Sequence, residues 1–157
     1  MEIRPAKREE WESSMSLAWR TFLHFEASDY TQQGIDSFLD FISDTTLYRM
    51  FLLGNYQLFV ALEEERIVGI ISMREINHIS LLFVDEKYHR RGIGRALLEY
   101  AAMYLQEEKG KDNCTVNAAP YAVEFYHKIG FENLRPEETR DGIRYTPMIW
   151  NFEPRLS

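Results

Sequence analysis

The chain of 157 residues contains a single cysteine, Cys114, so no intramolecular disulfide framework can exist and a reducing compartment fits. Long apolar runs are also missing. The best of them, such as Leu81 to Val84, fall far below the roughly 18 residues needed to span a bilayer. The start, Met-Glu-Ile-Arg-Pro, lacks the basic and apolar regions of a secretory leader. Positive charge is scarce: 18 Lys and Arg against 25 Asp and Glu leave a net charge of −7, which argues against a nucleic acid or an anionic membrane as partner. No Pro/Gly/Ser linker, low-complexity tract or repeat interrupts the chain. These absences predict one cytoplasmic domain spanning residues 1–157, a monomer or homodimer. Hydrophobic residues make up 45% of the chain, with ten Phe, nine Tyr and three Trp, enough for a core without staples.

The periodicity predicts a mixed α/β order, β-α-α-β-β-β-α-β-α-β-β. Residues 1–5 read as a short strand, and Trp11, Met15, Ala18, Trp19 and Phe22 mark a helix over 7–24. One or two helices cover 30–53, with Gly54 as their stop. Residues 57–62 and 66–73 read as a hairpin around Glu63-Glu64-Glu65. Residues 78–84 have few polar positions, as a strand buried on both faces should. A helix follows from Ile93, with Gly110 as its end. Residues 114–117 form a strand. Pro120 opens a helix to Ile129, and 131–134 with 143–152 form a closing hairpin.

The most informative stretch is Leu82 to Leu98. Lys87, Arg90, Arg91 and Arg95 cluster there in an otherwise acidic chain, and Gly92 and Gly94 flank Ile93 at a helix start. The first N–H groups of a helix have no internal partner, and with the positive end of the dipole they form an anion site suited to pyrophosphate. The alternative is a solvated basic loop whose glycines serve packing. A dinucleotide fingerprint fails because Leu97 stands at its third glycine, and no G-x-x-x-x-G-K-[ST] loop is present.

This segment closely resembles the acyl-CoA motif of the GNAT superfamily of N-acetyltransferases, whose core is Gln/Arg-x-x-Gly-x-Gly/Ala. Gly92 and Gly94 match, and His89 departs at the first position. Ala122-Val123-Glu124-Phe125-Tyr126-His127-Lys128-Ile129-Gly130-Phe131 is similar to the family's A-x-x-F-Y-x-x-x-G-F block. The resemblance covers about residues 56–151, and residues 6–54 share only their helical character. It implies a mostly antiparallel sheet flanked by helices, with a splayed parallel strand pair at about 78–84 and 114–118. It implies acetyl-CoA as cosubstrate, no metal, and an amine acceptor attacking the thioester directly. Pantetheine would pair with the first splayed strand, through Leu82 and Val84, with Phe83 between them. A β-bulge near that strand's end commonly causes the splay. His89, Arg90, Arg91, Gly92, Ile93, Gly94 and Arg95 would surround the pyrophosphate. Asn117 and Phe125 would lie near the pantetheine arm.

Two protons need carriers. Tyr126, at the family's Phe-Tyr position, is the nominee to protonate the leaving thiolate. For the amine's proton, alternation puts His78, Ser80, Leu82 and Val84 on one face, so His78 is the first nominee and Glu75 the second. Glu26, His24, Asp29 and a water chain stay open. Glu75/His78 and Glu124/His127 are both E-x-x-H. In a β region, however, positions i and i+3 face opposite ways, so Glu75 and His78 suggest no metal site. Cys114 reads as buried packing.

Most aromatic residues of 7–54 read as core, with Phe25 and Tyr30 as candidates to line an acceptor pocket. Residues 1–56 carry nine acidic and five basic side chains, a weak attraction for an amine cation. The runner-up function is a non-catalytic acyl-CoA-binding regulatory module on the same fold. An unrelated phosphate-binding domain comes third.

Overall fold

The computed structural model describes residues 1–154. Eight strands form one sheet in the order β1-β2-β3-β4-β5-β8-β6, with β7 paired to β8. These are β1 (Glu2–Pro5), β2 (Gln57–Glu63), β3 (Arg66–Arg74), β4 (His78–Val84), β5 (Asn113–Ala118), β6 (Glu132–Asn133), β7 (Glu138–Arg140) and β8 (Ile143–Asn151). The helices are α1 (Trp11–Phe25), α2 (Gln32–Ile42), α3 (Thr45–Leu52), α4 (Ile93–Lys109) and α5 (Val123–Ile129). All strand pairs are antiparallel except β4–β5. The mixed α/β architecture follows the sequence, with two local differences. Residues 30–53 divide at Ser43-Asp44, where the Asp44 side chain accepts from the Thr46 N–H at 2.8 Å and starts α3. The closing hairpin gains the short strand β7, which pairs with Ile143–Tyr145, while β6 takes up Met148 and Ile149.

The sheet is buried on both sides, because the inner strands carry apolar residues at successive positions. On β2, Leu58 and Val60 face one core while Phe59 and Ala61 face the other. Trp11, Met15, Ala18 and Phe22 recur at helical spacing and lay α1 on the first side, against Ile70, Leu81 and Phe83. Phe22 is fully buried and stacks on Phe38 at 4.1 Å. On the second side, Ile93, Leu97, Leu98, Ala101 and Leu105 of α4 cover Ile71, Met73, Ile79 and Val116.

One irregularity positions the site. The β3–β4 ladder pairs Met73 with Ile79 and Ser72 with Leu81, leaving Ser80 as an extra residue. This is a β-bulge, and it reverses the facing of everything after it. Ile79, Leu82 and Val84 therefore face α4, while Leu81 and Phe83 face α1. The expectation that His78, Ser80, Leu82 and Val84 share a face is corrected accordingly: a ladder slip of one residue intervenes. The Tyr56 hydroxyl fixes the bulge from the α1 side, 2.6 Å from Ser72 Oγ and donating to Ser80 Oγ at 3.0 Å. Tyr56→Phe leaves buried hydroxyls short of a partner. It is expected to cost about 1–2 kcal/mol, read as a lower urea midpoint at unchanged slope.

Candidate active site

β4 and β5 pair only through His78–Thr115 and Ile79–Val116. Beyond the bulge they part, because β5 stays with β8 over six residue pairs, from Asn113–Asn151 to Ala118–Thr146. The base of this gap is tied by Asn77. Its carbonyl accepts the Thr115 N–H at 3.0 Å, and its side-chain amide donates to the Asn113 carbonyl and side chain at 3.1 and 2.9 Å. The bulge therefore sits where parallel pairing ends, rather than near the end of the strand.

The gap opens toward a cavity of about 410 Å³ whose wall includes Leu82 and Val84 of β4, the start of α4, and Tyr121, Phe125 and Tyr126. Gly92 caps α4 in the left-handed region (φ 77°), no side chain bonds to the helix start, and no acidic residue lies in its first turn. Its first N–H groups are thus available to an anion. The two glycines do different work. At Gly92 a Cβ would meet nothing, so the requirement there is the positive φ, whereas at Gly94 a Cβ would come within 3.0 Å of the Phe125 ring. Gly94 lets Phe125 pack onto the first turn of α4.

Arg90 (φ 65°), Arg95 and, from α5, Lys128 also line the cavity. Arg91 instead lies over the Tyr88 ring at 5.0 Å, and Lys87 is exposed. Neither lines the cavity. Ile93 reaches both the cavity and the core. His89, the departure from the motif, places Nε2 2.8 Å from the Val84 carbonyl and binds the loop to the strand end.

Tyr126 is buried, with its ring edge-on to Phe131 at 4.9 Å and Phe125 at 5.3 Å. Burial pushes its phenol up, with smaller contributions from Glu26, Tyr121 and Cys114, so it holds its proton at neutral pH. Cys114 is buried behind it, and its thiol is pushed up to about 12 by that burial. A thiol that stays protonated is packing, as the sequence suggested.

The end of α1 crosses to this site. Arg20 meets Asp85 at 3.1 Å, and His24 Nε2 meets Glu86 at 2.8 Å. Phe25 stacks on His89 at 4.6 Å and on Tyr121 at 5.6 Å, bridging the two rims of the cavity. The next residue, Glu26, is only 8% exposed and accepts from the Tyr30 hydroxyl at 3.3 Å. Phe25 thus packs on two residues of the cavity wall, while Tyr30 packs on Phe22, and neither lines the cavity itself.

Other nominated residues lie elsewhere. His78 sits at the base of the gap with Nδ1 2.8 Å from Thr115 Oγ1; burial, with Arg74 adding to it, lowers its pKa and keeps the ring neutral. Glu75 is exposed in a turn at φ 51°. Asn117 is exposed on β5, opposite Pro147, and Phe83 faces the α1 core. None of these four side chains lines the cavity. Lys128 and Tyr121 do, and sequence reasoning did not single them out, although both lie in or beside the A-x-x-F-Y block.

A family model described as an acetyltransferase (GNAT) domain matches residues 26–152. The N-acetyltransferase YafP of Escherichia coli (strain K12), itself uncharacterised, is 31% identical over 104 residues, 66% of this chain and 65% of that protein. The match thus spans just under two thirds of that relative's length. A GCN5-related N-acetyltransferase from Rhodopseudomonas palustris superposes with a TM-score of 0.80 at 23% identity, covering 96% of this chain and 95% of that one. The PaiA N-acetyltransferase of Thermoplasma acidophilum, solved with coenzyme A, gives 0.78 at 20% identity, covering 96% and 98%. The chain belongs to the GNAT acetyltransferase family. Among the described residues no helix is long and apolar enough to cross a membrane, and no group of three or more His, Cys, Asp or Glu is placed to hold a metal.

Proposed function

We propose that residues 1–157 act as one N-acetyltransferase domain that moves the acetyl group of acetyl-CoA to a primary amine by direct attack. The observation that carries this reading is the gap between β4 and β5, which opens onto a helix start that no side chain caps, with a buried tyrosine in the same wall. The pantetheine arm pairs with β4 along its open edge past the bulge, at Leu82 to Val84. The pyrophosphate takes the free N–H groups of Gly92 to Arg95, with Arg90, Arg95 and Lys128 beside it. Backbone N–H groups near the bulge hold the thioester oxygen as it gains charge.

The neutral amine attacks the thioester carbon, forming the C–N bond. The C–S bond then breaks, and Tyr126 gives its proton to the departing thiolate. The amide nitrogen's surplus proton restores Tyr126. Sequence reasoning nominates His78 and Glu75 for the proton that the ammonium must lose first. The test is acetyl-CoA binding followed by turnover. The melting temperature is expected to rise with acetyl-CoA, and free CoA thiol to appear only when an amine is added. Binding without turnover against a broad amine panel would favour a non-catalytic acyl-CoA module.

A further inference from the structure

Two carboxylates are buried among the described residues, Asp85 and Glu26. Asp85 has Arg20 at 3.1 Å. Glu26 has no cation within ion-pair distance among the described residues, and its hydrogen-bond partner is the Tyr30 hydroxyl. A buried carboxylate without a cation is costly to keep ionised, and such groups cluster where function requires them. Glu26 sits at the C-terminal end of α1, where the helix dipole favours a positive charge. The groups facing it are all neutral or negative: Tyr30, Asp29, Tyr121 and Tyr126. Tyr30 packs against Phe22 at 5.2 Å and Phe25 stacks on Tyr121 at 5.6 Å, so aromatic rings surround this end of α1.

The surrounding loop is held at its far end. The Thr31 N–H donates to the Gly142 carbonyl at 3.3 Å, and Gly34 lies so close to Gly142 that a Cβ there would be 2.5 Å from the same oxygen. The start of α2 thus rests on the tip of the β7–β8 hairpin.

We infer that Glu26 is the group that binds the acceptor ammonium and takes its proton. This rests on the acetyl-transfer reading and deepens it. The Glu26 carboxylate accepts one proton from R–NH3+, freeing the lone pair that forms the C–N bond, and later releases that proton to solvent. Burial raises the Glu26 pKa to about 7, with Asp29 adding to the rise and the Tyr30 hydrogen bond opposing it, so the carboxyl both gains and loses a proton near neutrality. Glu26 does not itself line the cavity, but its charge acts on Tyr121 and Tyr126, which do.

The test uses the full chain with Glu26→Gln and Glu26→Asp, the second keeping the charge on a shorter arm. Phenethylamine, n-butylamine, spermidine and a lysine-containing peptide serve as probes. In wild type, at least one probe, phenethylamine first among them, is expected to bind the CoA-loaded protein by calorimetry and to be acetylated. In Glu26→Gln, its affinity is expected to fall at least tenfold and kcat/KM about 100-fold. Acetyl-CoA affinity stays within twofold, and the levelling of kcat/KM above neutrality gives way to a rise that continues toward the amine's own pKa. Glu26→Asp falls between the two. An unchanged pH profile in Glu26→Gln, or acetyl-CoA binding with no binding of any probe amine, would overturn the Glu26 assignment while leaving acetyl transfer standing. Failure of wild type to bind acetyl-CoA would instead overturn the acetyl-transfer reading.

Discussion

Tyr126→Phe is expected to lower kcat on a good amine by about 10²–10⁴-fold, the usual range for losing a positioned general acid. The KM for acetyl-CoA should stay close to the wild-type value. The two effects separate because the substitution removes only the hydroxyl. The ring keeps its edge-on contacts with Phe131 and Phe125, so the cavity wall that α5 presents to the cofactor is preserved. The phenol is suited to the task because burial, with the nearby Glu26, Tyr121 and Cys114, holds its proton on at neutral pH. A thiolate leaving into this pocket thus meets a donor rather than a phenolate. Stopped-flow measurement of a single turnover with saturating acetyl-CoA checks this directly. An unchanged rate would mean that the thiolate departs without help and would remove Tyr126 from the chemistry.

The second large effect is on stability. Glu26 has a folded-state pKa raised from 4.5 to about 7, chiefly by burial. A group whose folded pKa lies above its unfolded value contributes stability that is fully present below the unfolded pKa and is lost as pH rises through the folded one. Wild type should therefore lose about 3 kcal/mol relative to Glu26→Gln between pH 4.5 and pH 8.5, since glutamine does not titrate. Urea unfolding at the two pH values gives the comparison. Glu26→Gln should be the more stable protein by a widening margin toward alkaline pH. A margin constant with pH would mean that Glu26 is solvated or is matched by a cation. The expected outcome joins function to stability: the same buried charge that binds an amine destabilises the amine-free protein.

The start of α4 was legible because its signal is local. Two glycines, a cluster of arginines and a following apolar stripe occur within one short stretch, and the fold places Gly92, Gly94, Arg90 and Arg95 in one cavity wall. Tyr126 and Phe125 were legible for the same reason. The facing of β4 was not. His-Ile-Ser-Leu-Leu-Phe-Val is apolar toward both sides, so its alternation carries no mark of the extra residue at Ser80. That residue is revealed only by the β3 register and by Tyr56, which precedes it by 24 positions. Arg91 and Arg95 look alike in sequence; the positive φ at Arg90 directs the loop so that Arg91 covers Tyr88 instead of the cavity. Glu26 stays one of several open candidates for the base, because nothing in its own stretch of sequence marks it as buried. It becomes buried because residues of the 121–126 segment, nearly a hundred positions later, close over it. β7, Glu-Thr-Arg, has no apolar pattern of its own and forms because β8 offers it an edge.

Acetyl transfer from acetyl-CoA to an amine can be read by mass spectrometry of the purified chain incubated with acetyl-CoA and phenethylamine. One N-acetylated amine is predicted for each CoA thiol released, with none formed when either substrate is omitted. Thiol release without an acetylated amine, or no consumption of acetyl-CoA with any amine of the panel, would contradict it.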